Sequence, residues 1–322
     1  MLHEKTSLLK KDKLIDNCNT MNTMIQKLHI FLSACLVGTL LAAQTPTITG
    51  FTPAAGSIGA TVTLTGTNFN STAADNIVHF GAVKATVSSA SPTSLTVTVP
   101  LGATYKPITV LNTATGLSAA SAKPFLVTFS GGIAINSMSF TTKTDFTTAS
   151  QPRSVASADL DGDGKPELIA TNNGSLSVSL LRNTSSSGTL AFATKVDLTT
   201  GAGPSSVAVG DLDGDGKLDL AIGNQFSNTV SILRNTSTAG MLSFAAKIDS
   251  TVGSGPLGVA IGDLDGDGKP DLALANFSSS TVSVLRNTST VGSISFARKV
   301  DFITGTNSRP YNIGLGDIDG DG

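Results

Sequence analysis

The chain has 322 residues, 40% of them apolar, with 21 Lys+Arg against 23 Asp+Glu. That length and apolar share support two domains with their own cores and exclude a disordered tail. A net charge of -2, with 14% charged residues and no basic block, leaves nothing to neutralise a run of phosphates, so nucleic acid is not an expected partner. The 33 glycines, with abundant Ser, Thr and Val and few Glu or Lys, mark a β composition.

Residues 1–43 read as a secretory leader. IFLSACLVGTLLAA (30–43) is a run of 14 apolar or small residues that follows Lys27 and His29, and cleavage is expected after Ala43. As a helix it rises about 21 Å, short of a bilayer core of about 30 Å, so no membrane span is expected in the mature chain. Residues 1–20 form a polar lead unlike a signal, and Met21 or Met24 would each give a compact basic start. Cys18 and Cys35 both precede Gln44, so the mature chain would hold no thiol for a disulfide or a nucleophile. His3 and His29 leave with the leader, so a catalytic triad would have to use His79, which sits in the alternating run NIVHF (76–80) as a strand-face residue. With no Trp, and Tyr105 and Tyr311 the only tyrosines, there is little to build a flat sugar-stacking platform.

Residues 44–129 predict a small antiparallel sandwich. Alternating runs at 61–65, 83–87, 95–99 and 108–111 are separated by Gly, Pro, Asn and Ser. ITGFTPAAGSIGATVTLTGTNF (48–69), VHFGAVKA (78–85) and SLTVTVP (94–100) together resemble the immunoglobulin-like IPT/TIG domain. Gly66-Thr67-Asn68-Phe69 and Phe80-Gly81 are the most diagnostic pieces. The resemblance implies a fold, not a function.

After a linker at 130–137, residues 138–322 repeat. Phe140, Phe192, Phe244 and Phe296 recur every 52 residues, followed by Lys143, Lys195, Lys247 and Lys299. Asp159, Asp211 and Asp263 each open DLDGDG at the same interval, and Asp317 opens DIDGDG after 54. Each unit then reads apolar, polar tip, apolar, which suits four short strands. A sheet of that size cannot cover two apolar faces alone, so the units are expected to stack as blades of a β-propeller. The fold class expected is all-β, an Ig-like β-sandwich followed by an incomplete propeller of four-stranded blades. The fourth loop, 317–322, stops before its ligand set, and the sequence is therefore expected to be a piece of a longer protein. A strand near Phe140 to Phe146 is expected to be free to close a ring with the last blade.

The acidic loops at 159–167, 211–219 and 263–271 carry the chemistry. Positions one, three and five hold Asp159, Asp161 and Asp163, then Asp211, Asp213 and Asp215, then Asp263, Asp265 and Asp267. Position seven offers a backbone carbonyl from Lys165, Lys217 and Lys269, and position nine an acid at Glu167, Asp219 and Asp271. With Asp317, Asp319 and Asp321 these loops hold 15 of the 23 acidic residues of the chain, and such clustering repels unless a cation joins it. Two unit charges about 4 Å apart cost roughly 4 kcal/mol at an effective dielectric near 20. Hard oxygen donors at alternate positions imply Ca²⁺, one per loop, in preference to magnesium, which keeps its waters. Plain turns would need neither the acids at one, three and five nor one at nine. An EF-hand needs Glu at position twelve and flanking helices, where this chain has Ala170, Ile222 and Leu274 in β-like runs.

The units resemble the FG-GAP/VCBS family of calcium-binding propeller blades, related to the integrin α-subunit head, with SVAVGDLDGDGKLDLAIGN (206–224) the best copy. Glu167 replaces Asp at position nine, and the FG-GAP dipeptides themselves are absent. The resemblance implies a structural role for the metal, with partners bound elsewhere, and the leader with this pair of families implies a bacterial source. Arg-Asn-Thr at 182–184, 234–236 and 286–288 also repeats, each triplet followed by Ser, and reads either as glycan acceptors or as strand ends with an arginine at the blade edge. The function expected is that of a secreted or cell-surface, non-catalytic protein for adhesion or recognition of an extracellular protein or glycan. The alternative is a set of accessory domains of a larger secreted polysaccharide-acting enzyme.

Overall fold

The computed structural model describes residues 45–128, 143–186 and 189–316, all strand, turn and loop apart from one 3-10 turn at Ala73–Asp75. The leader at 1–43, the linker at 130–137, Phe140 and the partial loop with Asp317, Asp319 and Asp321 lie outside the described residues. Among the described residues no helix is long and apolar enough to cross a membrane.

The first module has nine strands: β1 (Thr47–Thr52), β2 (Ala55–Gly56), β3 (Thr61–Thr67), β4 (Asn76–Phe80), β5 (Val83–Ser91), β6 (Ser94–Thr98), β7 (Pro107–Asn112), β8 (Leu117–Pro124) and β9 (Leu126–Val127). Alternation places them: in β3 Val62 and Leu64 are wholly buried while Thr61 and Thr65 are exposed. β1, β3, β6 and the second half of β5 form one layer, and the first half of β5 crosses to pair with β4, followed by β7 and β8. Between the layers lie Val62, Leu64, Val78, Phe80, Leu95, Val97, Ile108 and Val110, with the Phe80 and Phe125 rings edge to face at 5.2 Å. Gly66 is obligatory here, since a Cβ on it would stand 1.8 Å from the Thr47 carbonyl oxygen and 2.6 Å from the Phe69 ring.

Three four-stranded antiparallel sheets follow, as the repeat predicts. They are β10 (Pro152–Ala158), β11 (Glu167–Asn172), β12 (Ser177–Leu181) and β13 (Val196–Thr199); β14 (Pro204–Gly210), β15 (Asp219–Asn224), β16 (Thr229–Leu233) and β17 (Ile248–Thr251); and β18 (Pro256–Gly262), β19 (Asp271–Asn276), β20 (Thr281–Leu285) and β21 (Val300–Ile303). The register repeats with them, pairing Leu168 with Leu181, Leu220 with Leu233 and Leu272 with Leu285. Every residue of β15 and β19, the second strands of their sheets, is buried. One core between the first two blades gathers Ile169, Val178, Leu180, Leu220 and Ile222, and another between the second and third gathers Val230, Ile232, Val259, Leu272 and Leu274.

The outermost strands are tied in by a repeated polar chain. Asn172 donates to Ser179, Ser179 to Asp197, and Lys195 pairs with Asp197, and the same set recurs at Asn224, Ser231, Asp249 and Lys247 and at Asn276, Ser283, Asp301 and Lys299. The strand expected near Phe140 to Phe146 does not form over residues 143–149, where no partner strand is at hand among the described residues. Phe146 instead sets its ring edge-on against Phe192 at 4.9 Å. Replacing Phe80 with Ala should destabilise the sandwich by about 3–5 kcal/mol, the usual cost of emptying a buried aromatic site, and a chemical denaturation curve measures it.

Candidate metal centres

Each acidic loop joins the first strand of a blade to the second. The acid at position nine opens that second strand, opposite the last residue of the first: Ala158 faces Glu167, Gly210 faces Asp219 and Gly262 faces Asp271. At position one both carboxylate oxygens accept from glycine N–H groups within the loop. Asp159 takes Gly162 and Gly164 at 2.8 and 3.0 Å, Asp211 takes Gly214 and Gly216 at 2.8 Å each, and Asp263 takes Gly266 and Gly268 at 2.8 Å each. All six glycines have positive φ, between 73° and 87°, which makes so tight a curl accessible.

The position-nine acids bridge two further donors. One oxygen accepts the N–H of position two, from Leu160, Leu212 and Leu264 at 2.8, 2.9 and 3.0 Å. The other accepts the N–H of Asn183, Asn235 and Asn287 at 3.2, 2.8 and 2.7 Å. These asparagines are the middle residues of the repeated Arg-Asn-Thr. They are buried, and their side-chain amides reach back: Asn235 donates to the carbonyls of Leu218 and Leu160, and Asn287 to those of Pro270 and Leu212. A glycan on a wholly buried Asn235 has no room, so the triplets are blade stitches, and only their equal spacing in the sequence hinted at a common task.

The structure brings Asp159, Asp161 and Glu167 together, likewise Asp211, Asp213 and Asp219, and Asp263, Asp265 and Asp271, each trio offering oxygens within 4.8 Å of one another. Position five stands outside these trios. Asp163, Asp215 and Asp267 instead accept the N–H of Lys165, Lys217 and Lys269 at 2.8 to 2.9 Å. In the second loop Arg234 spans Asp213 and Asp215, and in the third Arg286 spans Asp265 and Asp267 at 2.5 and 2.9 Å. Loop one differs: Asp161 accepts the N–H of Gly240, from the second blade, at 3.1 Å.

Burial pushes Asp219 up to about 8 and Asp211 and Glu167 up to about 7, and neighbouring carboxylates add to the rise against the backbone N–H groups. Asp215 is raised by burial even beside Arg234, whereas the Arg286 guanidinium holds the exposed Asp265 below the usual carboxylate range. Among the described residues no cationic side chain bonds to the half-buried Asp211 or the buried Asp219, whose direct partners are neutral N–H groups, while Arg234 pairs with Asp213 and Asp215 beside them. A hard dication fits such a donor set, and the trios could hold metal ions. His79 lies on β4, its protonation pushed down to about 4 by burial and by Lys84.

Fold and loops together define an all-β protein in which an immunoglobulin-like module precedes propeller-type blades with acidic loops. The chain belongs to the family of FG-GAP-like repeat proteins: the FG-GAP-like repeat matches at 159–222, 215–274 and 263–322, and an IPT/TIG domain matches at 46–129. Both domains are typical of extracellular adhesion or accessory modules. A comparison with curated proteins gives no match. Among solved structures the chain is similar to an auxiliary nutrient binding protein of Bacteroides thetaiotaomicron, at 17% identity and a TM-score of 0.28, over 76% of this chain and 57% of that one. A second such protein, from Bacteroides ovatus, is 13% identical with a TM-score of 0.25, over 79% and 86%. The rhamnogalacturonan lyase of Bacillus licheniformis is 14% identical with a TM-score of 0.34, over 87% and 56%. The chain spans little more than half the length of the first and third of these.

Asn235→Ala would leave two carbonyls without their donor, and a loss of about 1–3 kcal/mol for each buried group so stranded should appear in a urea melt. The raised carboxylates also set a pH dependence. Their folded pKa values exceed the unfolded ones near 4, so the folded chain binds more protons and metal-free stability should fall as pH rises from about 4 towards 8. Melting temperatures in chelator at pH 5 and pH 8 check the sign.

Proposed function

We propose that this is a secreted or cell-surface, non-catalytic module whose blades are braced by calcium, one ion in each complete acidic loop, and which serves adhesion or recognition of an extracellular protein or glycan. The observation that carries the reading is the trio of Asp211, Asp213 and Asp219, whose oxygens lie within 4.8 Å of one another while the one guanidinium at this loop, Arg234, pairs with Asp213 and Asp215 and not with Asp211 or Asp219. Calcium would supply the two positive charges that let these carboxylates stay ionised in a closed loop. Asp211, Asp213 and Asp219 would hold it in the second loop, with Asp215 and the Lys217 carbonyl completing the set, and the corresponding residues would do so in the others. A neutral, buried His79 as the lone histidine after Gln44 makes poor material for a general base, which favours a binding role over a catalytic one.

Isothermal calorimetry after chelation tests this. One calcium per complete loop is expected, with Kd on the order of 10⁻⁴ to 10⁻³ M or tighter, and magnesium should bind more weakly. Asp211→Asn with Asp219→Asn should remove one of those ions and shrink the calcium-induced rise in melting temperature. No heat with an unchanged melting curve would overturn the calcium reading.

A further inference from the structure

The described acidic loops are also the surface on which the IPT/TIG module sits. β4 sends Val78 and Phe80 into the sandwich core and presents Ile77 and His79 on its other face. Ile77 lies so close to the second loop that a Cβ on Gly216 would be 2.1 Å from its Cδ1. The turn between β7 and β8 reaches two loops. A Cβ on Gly214 would stand 2.9 Å from the Gly116 carbonyl oxygen, and Ser118 donates both its N–H and its hydroxyl to the Gly268 carbonyl of the third loop, at 2.9 and 3.2 Å. The turn between β4 and β5 meets the first loop: the Asp159 N–H donates to the Ala82 carbonyl at 2.9 Å, and Ala82 packs on the core between the first two blades.

These contacts touch backbone whose path is set by the carboxylates. Asp159 is position one of its loop, and Gly216 and Gly268 are the position-six glycines whose N–H groups bond to Asp211 and Asp263. The seam is not dry-packed throughout. It leaves a partly open pocket of about 190 Å³ between His79 and Lys84 on one side and Asp159, Asp161, Lys217 and Ser237 on the other. Its geometry therefore depends on the loops holding their curl, and on more than apolar burial.

We propose that calcium in the acidic loops fixes the IPT/TIG module on the blades, making the seam a cation-dependent joint between the two modules. This rests on the calcium reading above. A loop opened by repulsion among its carboxylates carries its position-six backbone away from Ile77 and Ser118, and the sandwich loses its seat. Linkage then runs both ways, so weakening the seat weakens calcium binding.

Hydrogen exchange on the full chain, with calcium and with chelator, tests the joint. The Ser118 amide belongs to the sandwich and bonds to the third loop, and its exchange should slow at least fivefold on calcium addition while the core amide of Val97 is unchanged. Ile77→Ser, which removes a contact outside the sandwich core, should raise the calcium Kd about fivefold or more with Val97 still protected. Calcium heat with an unchanged Ser118 rate in the wild-type chain would overturn the joint alone, whatever the variant does. Absence of calcium heat would overturn the metal reading and the joint together.

Discussion

A carboxylate with almost no exposure to water closes each of the three described acidic loops. An ionised carboxylate is costly to bury unless it is paired and bonded, and Glu167, Asp219 and Asp271 are kept in place by two backbone N–H groups each, one from inside the loop and one from an asparagine after the third strand. That single side chain therefore fixes the curl of the loop, the start of the second strand and the entry of the Arg-Asn-Thr segment. The aspartates at positions one and three are brought beside it by the same curl.

The two ends of each blade solve different problems. At the loop end, excess negative charge is concentrated and partly covered, in the second and third blades by Arg234 and Arg286. At the other end, the Asn, Ser and Asp chain with its lysine is internally balanced and holds the exposed outer strand to the sheet. Apolar cores between blades supply the cohesion, as expected where a lone sheet would leave both faces wet. The sandwich is seated at the charged end, where backbone rather than side-chain bulk is available for contact.

Much of this could be read from the chain alone, because repeats and alternation are local in sequence. The 52-residue spacing gave the blades, the alternating acids gave the loops, and Gly66 with Phe69 and Phe80 with Gly81 marked the sandwich. Three features could not be read because they depend on tertiary direction. Asp215 and Asp267 look like Asp213 and Asp265 in the sequence, and Arg234 and Arg286 reach both members of each pair, yet only Asp213 and Asp265 join the carboxylate trios. Asn235 matches a glycan signal until its burial is known. The seam between Ser118 and Gly268 joins residues 150 positions apart, and no periodicity encodes it.

The backward reach of the asparagines gives the array a direction. Asn235 closes on Leu160 and Asn287 on Leu212, each 75 residues earlier, so the second residue of one loop is held by the blade that comes after it. A blade emerging from the ribosome is thus left unfinished until its successor arrives. Growth from the N-terminal side becomes a relay in which every unit is locked by the next, and the unit at the growing end is always the loosest.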